Sequence, residues 1–462
     1  MRILLTNNTL AGRGGSEVYV RDLALALLRR GHSPVVYSDI LGEVAEELRR
    51  ATVPVIDNLD ALNTPPDLIH GQHHLDAMVA ILRYPTVPAV YLCHGWAPWQ
   101  ERPPVFPSIR RYLAVDDLCR ERLLTTPGLS AERVDVVLNG VDLSRFQPRA
   151  PLPVQAASAL IFSNYAGATG YAETIIRACK SRGIERVDVC GIRSGHATAT
   201  PELLLPGYDV VFAKARCALE AMAVGCAVVV ADEAGFCGMV RSDNVRALRR
   251  LNFGARTMQA GRVSDATINA ALDQYDAGDA ALVSEFIRGD ASLDGVIDRL
   301  LCIYQEVLDE KPEATGAAAA VAASVYMGSL AGMVKDREDA QLRAAEAERV
   351  AAEYALAHQQ LTGSAAASAD ENNALREALA SARTLAEADH LMLQVALDEA
   401  LARFAAENRR LQDALDNAQA EMTAFLGKLD TAHAGVARLA EIERSRAWRL
   451  IGFYRRLRRR LS

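Results

Sequence analysis

The most constraining feature of this sequence is a repeated alternation of short apolar runs and helical patterns over residues 2–146. Ile3 to Thr6 predicts a strand, a glycine-rich turn follows it, and a helix is predicted from Ser16 to Arg30. Further strands are predicted at 34–38, 67–70, 89–93, 112–115 and 134–138. Because strands that alternate with helices pair in parallel with right-handed crossovers, this pattern predicts a doubly wound α/β domain.

A second α/β pattern follows a proline-rich linker at 147–153. Its strands are predicted at 159–162, 187–190, 208–212 and 227–231, with a helix at 172–180 and a helical closing segment at 282–308. The fold class is therefore predicted to be α/β, with two α/β domains followed by a long helical coiled-coil region. The predicted divisions are an N-terminal domain at 1–150, a second domain at 154–310, an Ala-rich helical linker at 311–372, a coiled coil at 373–443 and a basic amphipathic tail at 444–462.

Composition narrows the possible classes of protein. A chain of 462 residues is too long for one ordinary domain, and its net charge of -7 gives no reason to expect nucleic-acid binding. The eight cysteines are scattered without a C-x-x-C pair, which favours reduced, buried thiols over disulfides or zinc ligands. No secretory signal is visible, because polar residues follow the first strand too soon. These features predict a cytoplasmic protein.

The C-terminal third has a different character. Residues 315–334 carry no charge and are long enough to span a bilayer, but they are mostly alanine, so we interpret them as an Ala-rich helix or linker. An unbroken heptad seam from Leu401 to Leu439, with polar Asn408 in it, predicts a coiled coil that joins copies of the chain or a partner protein. The alternative is a long helix packed back on the α/β domains.

The tail at 444–462 combines many arginines with an apolar face and aromatic residues. Such a helix suits an anionic membrane surface, which predicts a peripheral position on the inner face of the plasma membrane. A solvated basic tail and a patch for an acidic partner are the alternatives.

The first motif with a chemical meaning is the glycine turn after the first strand, Gly12 to Glu17. Glycines such as Gly14 and Gly15 let backbone amides approach a phosphate, and the following helix presents its positive end there. A tight connection between strand and helix is the simpler alternative. The turn matches neither the dinucleotide fingerprint nor a P-loop.

The second motif is His94, which lies at the carboxyl end of a predicted strand. Ligands of open α/β sheets bind outside those ends, where a histidine can contact substrate or move protons. His70 has a similar position, but His94 is the stronger candidate. A packed or surface histidine is the alternative for each, and the neighbouring His73 and His74 lack the spacing of a metal site.

The third motif lies where the strand at 208–212 meets the next helix. Lys214 and Arg216 place two cations at the beginning of that helix, and Glu220 follows one to two turns later. Cations there suit a diphosphate, and a carboxylate can accept hydrogen bonds from ribose hydroxyls. The alternative is an ordinary strand–helix unit with a surface ion pair.

These pieces occur in an order that resembles the GT-B glycosyltransferases of family 4. The resemblance rests on GGSE at 14–17, Asn139 to Asp142, and ALEAMAVGCAVVV at 218–230, and it covers about residues 1–310. It implies two Rossmann-like domains facing a cleft, a nucleotide-sugar donor held mainly by the second domain, and an acceptor held mainly by the first. It also implies sugar transfer with retention and without a metal or another cofactor.

The resemblance assigns individual residues. Gly14 and Gly15 would contact the donor diphosphate, His94 would lie near the transferred sugar, and Glu220 matches the second glutamate of the family's E-x7-E motif, which holds ribose.

The sequence also departs from the family pattern. Phe212 stands where the first glutamate of E-x7-E would be, and the usual Arg and Lys are missing from 162–167. Lys214 and Arg216 would replace that charge. Only residues 191–207 separate the second and third strands of this domain, so it is predicted to be trimmed by one strand–helix unit.

The expected function is transfer of a sugar from a nucleotide-sugar to a glycan or lipid-linked acceptor in cell-surface polysaccharide synthesis. One alternative is a degenerate module that binds a nucleotide-sugar or glycan without transfer and uses the coiled coil as a scaffold. A second alternative is a nucleotide-sugar epimerase of GT-B fold.

Overall fold

The computed structural model of the chain describes residues 1–167, 169–259, 261–310, 316–380 and 397–410. Contacts divide the chain into a first unit, Met1–Asp339, and a second unit that begins at Ala340. The first unit contains both α/β domains.

The first domain is built on a seven-stranded sheet with the order β3-β2-β1-β4-β5-β6-β7, and its recorded pairings are parallel. The strands are β1 (Arg2–Thr6), β2 (Ser33–Tyr37), β3 (Val55–Ile56), β4 (Leu68–Gln72), β5 (Ala89–Cys93), β6 (Ile109–Ala114) and β7 (Val134–Val136). The helices are α1 (Gly15–Arg29), α2 (Glu43–Arg50), α3 (His74–Arg83) and α4 (Asp117–Leu124). Both faces of this sheet are covered, which explains why the sequence of a central strand such as β5 is a continuous apolar run.

The second domain has a five-stranded sheet with the order β12-β11-β10-β8-β9, in which only the pairing of β12 with β11 is antiparallel. Its strands are β8 (Ser158–Phe162), β9 (Arg186–Cys190), β10 (Val210–Ala213), β11 (Ala227–Asp232) and β12 (Gly235–Met239). Its helices are α5 (Tyr171–Ser181), α6 (Pro201–Leu204), α7 (Ala215–Val224), α8 (Val245–Arg250), α9 (Asp265–Leu272) and α10 (Ala277–Asp290). The segment between β9 and β10 holds the four-residue α6 and a short 3-10 helix, Leu205–Gly207.

The closing helical segment predicted at 282–308 is divided in the structure. Helix α10 ends at Asp290, and helix α11 (Leu293–Asp309) begins after Ser292, whose side chain accepts from the Gly295 amide. The break forms because Ala291 and Leu293 exchange backbone hydrogen bonds of 2.8 Å with Val141. Helix α11 then packs its buried face into the core of the first domain, although its sequence lies within the range predicted for the second.

Helix α12 (Gly316–Ala380) extends beyond the α/β domains. Its first turns pack against the first core, and the Tyr326 hydroxyl lies 2.8 Å from His74 Nδ1. Among the described residues, Gly316–Thr362 is the one helical stretch that is long and apolar enough, by length and composition alone, to cross a membrane.

The predicted α/β class is confirmed: two domains, each built on a largely parallel sheet with helices, precede a long helical extension. The coiled coil is not tested. Residues 397–410 are helical, and the seam residues Leu401 and Phe404 are exposed there. The rest of the seam from Leu411, and the whole basic tail at 444–462, lie outside the described residues, and the predicted domain boundaries stay predictions.

Candidate functional site

A cavity of about 320 Å³ lies between the two α/β domains. The glycine turn and α1 form one wall, and the residues that follow β8, β9 and β10 form the other. The cavity therefore lies at the carboxyl ends of parallel strands, where open α/β sheets bind ligands. Five residues predicted from sequence line it together: Gly14, Gly15, Lys214, Arg216 and Glu220.

The glycine turn presents the beginning of α1 to the cavity. Gly14 is the N-cap residue of this 15-residue helix, and no side chain caps it. A side chain at Gly15 would meet nothing within 4 Å, so the backbone there is open to an approaching group. Unpaired amides and the helix dipole make such a terminus suitable for an anion.

Lys214 is the N-cap residue of α7 and already has a carboxylate partner. Its Nζ lies 2.9 Å from Asp232 Oδ1 and 4.6 Å from the centre of the Tyr165 ring. Asp232 also accepts a 2.9 Å hydrogen bond from the Ser163 hydroxyl. Lys214 is thus held in place at the wall, with 27% of its side chain still exposed.

The beginning of α7 has an unusual backbone. Ala215 has a φ of 48°, in the left-handed region that an L-residue rarely adopts. Its amide donates a 2.9 Å hydrogen bond to the Phe253 carbonyl, so this amide is not available to a ligand. The first-turn amides that follow it have no acceptor within the helix and remain suited to an anion.

Arg216 lies deep in the wall between two carboxylates. Its Nε donates to Glu220 Oε1 at 2.8 Å, and its Nη2 donates to Asp22 of α1. From sequence, Arg216 was predicted to belong to a diphosphate site or, alternatively, to a surface ion pair. In the structure it makes a buried contact that joins the two domains. Arg216 therefore lines the cavity with its Nε and Nη2 already held by carboxylates, and its predicted contact with the donor diphosphate stays a prediction.

The charge states of this group follow from its burial and pairing. Burial raises the pKa of Glu220, and the positive charge of Arg216 offsets only part of that rise. Burial would also raise the pKa of Asp22, but Arg216 and Arg21 together outweigh burial and lower it. Asp22 is thus the firmly ionised carboxylate of the pair.

Further polar contacts cross the cleft. Arg145 Nη2 donates to Glu202 Oε2 at 2.7 Å, and Arg13 Nη2 donates to the Ala199 carbonyl at 3.2 Å. Both contacts involve the segment between β9 and β10, which therefore lies against the first domain. Three arginines that line the cavity each have a carboxylate partner as well: Arg13 with Glu47, Arg21 with Asp22 and Arg145 with Glu202.

His94 does not belong to the described lining of this cavity. Its Nε2 donates to Gln72 Oε1, and its ring packs edge-on against Tyr19 at 4.9 Å between ring centres. The His94 amide donates to Glu101 at 2.9 Å. Burial lowers the pKa of His94 to about 4, so its ring is neutral at neutral pH. Its catalytic role stays a prediction.

Phe212, which replaces the first glutamate of E-x7-E, is fully buried on β10 in the core of the second domain. It does not reach the cavity lining. Strand β10 therefore continues through this position to Ala213, and Lys214 is the first polar residue after the strand.

Several residues of the site were missed from sequence. Asp232 could have been found, because it is a carboxylate at the carboxyl end of an apolar strand. Asp22 gives a weaker signal, a buried acid within an amphipathic helix. Arg145 and Tyr165 stand in irregular segments whose neighbours are set by the domain arrangement, so local spacing carries no signal for them.

Within the described residues, no group of three or more His, Cys, Asp or Glu side chains is arranged to hold a metal ion. The expectation that the reaction needs no metal or other cofactor stays a prediction.

Comparison with known proteins gives one sequence match and several similar folds. No curated protein matches the chain. A glycosyltransferase from Rickettsia africae is 15% identical, with 67% of this chain and 99% of that chain covered and a TM-score of 0.49. Anabaena Alr3699/HepE in complex with UDP and glucose is 16% identical, with 66% and 99% covered and a TM-score of 0.45.

Sucrose-phosphate synthase from Thermosynechococcus elongatus is 13% identical, with 66% of this chain and 98% of that chain covered and a TM-score of 0.41. The sequence match concerns the first domain, from the glycine turn to Arg145. Residues 13–145 match the family model of Glycosyltransferase Family 4.

Proposed function

We propose that this protein is a glycosyltransferase that moves a sugar from a nucleotide-sugar donor to a glycan or lipid-linked acceptor in cell-surface polysaccharide synthesis, with retention of configuration. One observation carries the proposal. The glycine turn, Lys214 and Glu220 line a single cavity between two Rossmann-like domains. The match of residues 13–145 to Glycosyltransferase Family 4 supports it.

The donor diphosphate would lie between two helix beginnings. The amides at Gly14 and Gly15 approach it from α1, and Lys214 approaches it from α7. Negative charge accumulates on the departing diphosphate in the transition state, so prearranged donors there lower the barrier to transfer. Asp232 and Tyr165 would hold the ammonium of Lys214 in position for this role.

The ribose would lie against Glu220, which lines the cavity. The acceptor would bind to the first domain, and neutral His94 would lie near the anomeric carbon. A neutral imidazole can orient a sugar hydroxyl by hydrogen bonding but cannot supply a positive charge.

The remaining partners are part of the same proposal. The protein would be cytoplasmic, with the basic tail on the inner face of the membrane and the predicted coiled coil joining copies or a partner protein. The chemistry would require no metal or other cofactor.

Turnover of nucleotide-sugars by the purified chain tests the proposal. We expect release of nucleoside diphosphate in the presence of a membrane glycolipid extract, and loss of most of that release in Lys214→Ala and Glu220→Ala. Lys180→Ala is the matched control, because Lys180 is an exposed lysine of the same domain. Turnover in both site variants equal to that of the wild type would remove the site assignment.

A second candidate is a module that binds a nucleotide-sugar or glycan without transfer. The burial of Phe212 and the pairing of Lys214 and Arg216 with carboxylates favour it. Calorimetry combined with the turnover assay separates the two candidates. Donor binding without release of nucleoside diphosphate would support the module, and conversion of the sugar without an acceptor would indicate an epimerase.

A further inference from the structure

Arg216 shares its guanidinium between two carboxylates from different domains. Asp22 of α1 holds the Nη2 side, and Glu220 of α7 receives only the Nε–H, at its Oε1 atom. Within the described part of the chain, no hydrogen bond reaches the second oxygen of Glu220, Oε2. Glu220 therefore keeps one free acceptor while it lines the cavity.

Asp22 is held firmly enough to keep the Nη2 side of Arg216 away from Glu220. Arg21 donates to Asp22 Oδ1 through Nε at 2.9 Å and through Nη2 at 2.7 Å, and Arg145 Nη1 lies 3.9 Å from the same oxygen. The carboxylate of Asp22 is thus fixed in the first domain, and its other oxygen takes the Nη2 of Arg216.

Without Asp22, the same guanidinium would change its partner. Arginine prefers to bind a carboxylate with two parallel hydrogen bonds, and the Nε and Nη2 of Arg216 have the geometry for this with Glu220. Both oxygens of Glu220 would then be occupied. A sugar hydroxyl would have to break a buried, charge-assisted pair in order to bind there.

We infer that Asp22 is a positioning residue for the donor: by holding one side of Arg216 it keeps an oxygen of Glu220 free for the ribose hydroxyls. This inference rests on the proposed function. Because Asp22 and Glu220 belong to different domains, the free oxygen exists only while the cleft is closed. Opening the cleft masks Glu220, so ribose recognition and domain closure are coupled.

The test compares ribose recognition in matched variants of the full-length chain. UDP, GDP and ADP are titrated by calorimetry, and the one that binds is compared with its 2′-deoxy and 3′-deoxy forms. We expect the wild type to favour the ribonucleotide over at least one deoxy form by about tenfold or more. Asp22→Asn and Glu220→Gln should both lose this preference.

Two controls separate positioning from general loosening of the cleft. Asp22→Glu keeps the charge and should restore most of the preference. Asp117→Asn breaks another contact between the domains, the exposed pair of Asp117 with Arg250 at 2.8 Å, and should leave the preference unchanged. A merely structural role of Asp22 would weaken binding of all forms equally.

Asp22→Asn is expected to fold, because Arg21 keeps Glu47 and Arg216 keeps Glu220 as partners. Asp22→Ser is measured beside it, so that the conclusion does not rest on a single replacement. A folded Asp22 variant that keeps the wild-type preference would overturn this inference alone. Failure of the wild type to bind any of the three nucleotides would overturn the proposed function and this inference with it.

Discussion

At the scale of single residues, the site depends on charges that are buried in pairs. Arg216 stands between Asp22 and Glu220, and all three side chains are largely withdrawn from solvent. A buried carboxylate that loses its partner is costly, whereas an exposed pair contributes little. Among the ion pairs of the cleft, the buried contacts of Arg216 are therefore expected to contribute most to stability.

Arg216→Ala should destabilise the first unit by about 3 kcal/mol or more, since it leaves the buried carboxylate of Glu220 unpaired and removes one of the partners of Asp22, which keeps Arg21. Arg250→Ala removes an exposed partner of Asp117 and should cost about 1 kcal/mol or less. Urea unfolding followed by circular dichroism measures both. Similar losses in the two variants would contradict the buried character of the Arg216 contact.

The histidines predict how stability depends on pH. Burial lowers the pKa of His94 and of His74 to about 4, below the ordinary value of 6.5. The unfolded chain therefore binds more protons between these values, so stability is present above pH 6.5 and falls as the pH falls toward 4. Asp76, whose pKa is raised by burial to about 7, opposes only part of this trend.

We expect the melting temperature of the wild type to fall between pH 6.5 and pH 4.5. In His94→Gln the fall should be smaller by about 2 °C or more, because one of the titrating groups is gone. His196→Gln, which changes an exposed histidine, is the control. Equal falls in the wild type and His94→Gln would show that burial does not govern this ring.

Sequence patterns predicted the placement of those residues whose position depends on the local strand-to-helix connection. The position of Lys214 and Glu220 beside the cavity was predictable, because ligand sites of open α/β sheets lie where strands end and helices begin, and their binding roles stay predictions. The pairing of Arg216 with Asp22 was not predictable, because the two residues are brought together by the packing of two domains. The contact of Arg145 with Glu202 was not predictable either, because it also depends on how the two domains pack.

At the scale of elements, the short apolar strands were predictable to within a few residues, because burial on both faces leaves continuous apolar runs. Strand β12 was missed, since its Gly-Phe-Cys-Gly-Met sequence lacks such a run and its partner is antiparallel. The break before α11 was also missed, because Val141 causes it from a distant part of the sequence.

Helix α7 ends at Gly225, whose φ of 101° lies in the left-handed region. Gly225→Ala should cost about 1 kcal/mol, because an L-residue is strained there although the space is adequate. Gly289→Ala, at an open position within α10, should be neutral or stabilising. Melting temperatures of the two variants test this, and a stable Gly225→Ala would contradict the left-handed helix end.

At the scale of the whole molecule, the first turns of α12 belong with the α/β domains. Tyr326 contacts His74, and Ala319, Ala322 and Ala323 pack against the first core. Sequence composition changes near residue 311, so the alanine-rich segment reads as a separate linker, and its short side chains give no sign of this packing.

A fragment of residues 1–339 should therefore melt at the temperature of the α/β domains in the full chain and bind the same nucleotide. A fragment of residues 1–310 should melt several degrees lower, since it loses the Tyr326 contact and the alanine packing. Differential scanning calorimetry compares the two. Identical melting temperatures would show that α12 adds no stability to the first core.

We propose above all that the cleft holds the diphosphate of a nucleotide-sugar between α1 and Lys214. A thermal-shift screen of UDP-, GDP- and ADP-linked sugars tests it most directly, because a ligand that binds the folded state raises its melting temperature by mass action. We expect one donor class to raise the melting temperature of the wild type and of Lys180→Ala by several degrees, and to raise that of Lys214→Ala little or not at all. No shift with any donor, or an equal shift in Lys214→Ala, would contradict the claim.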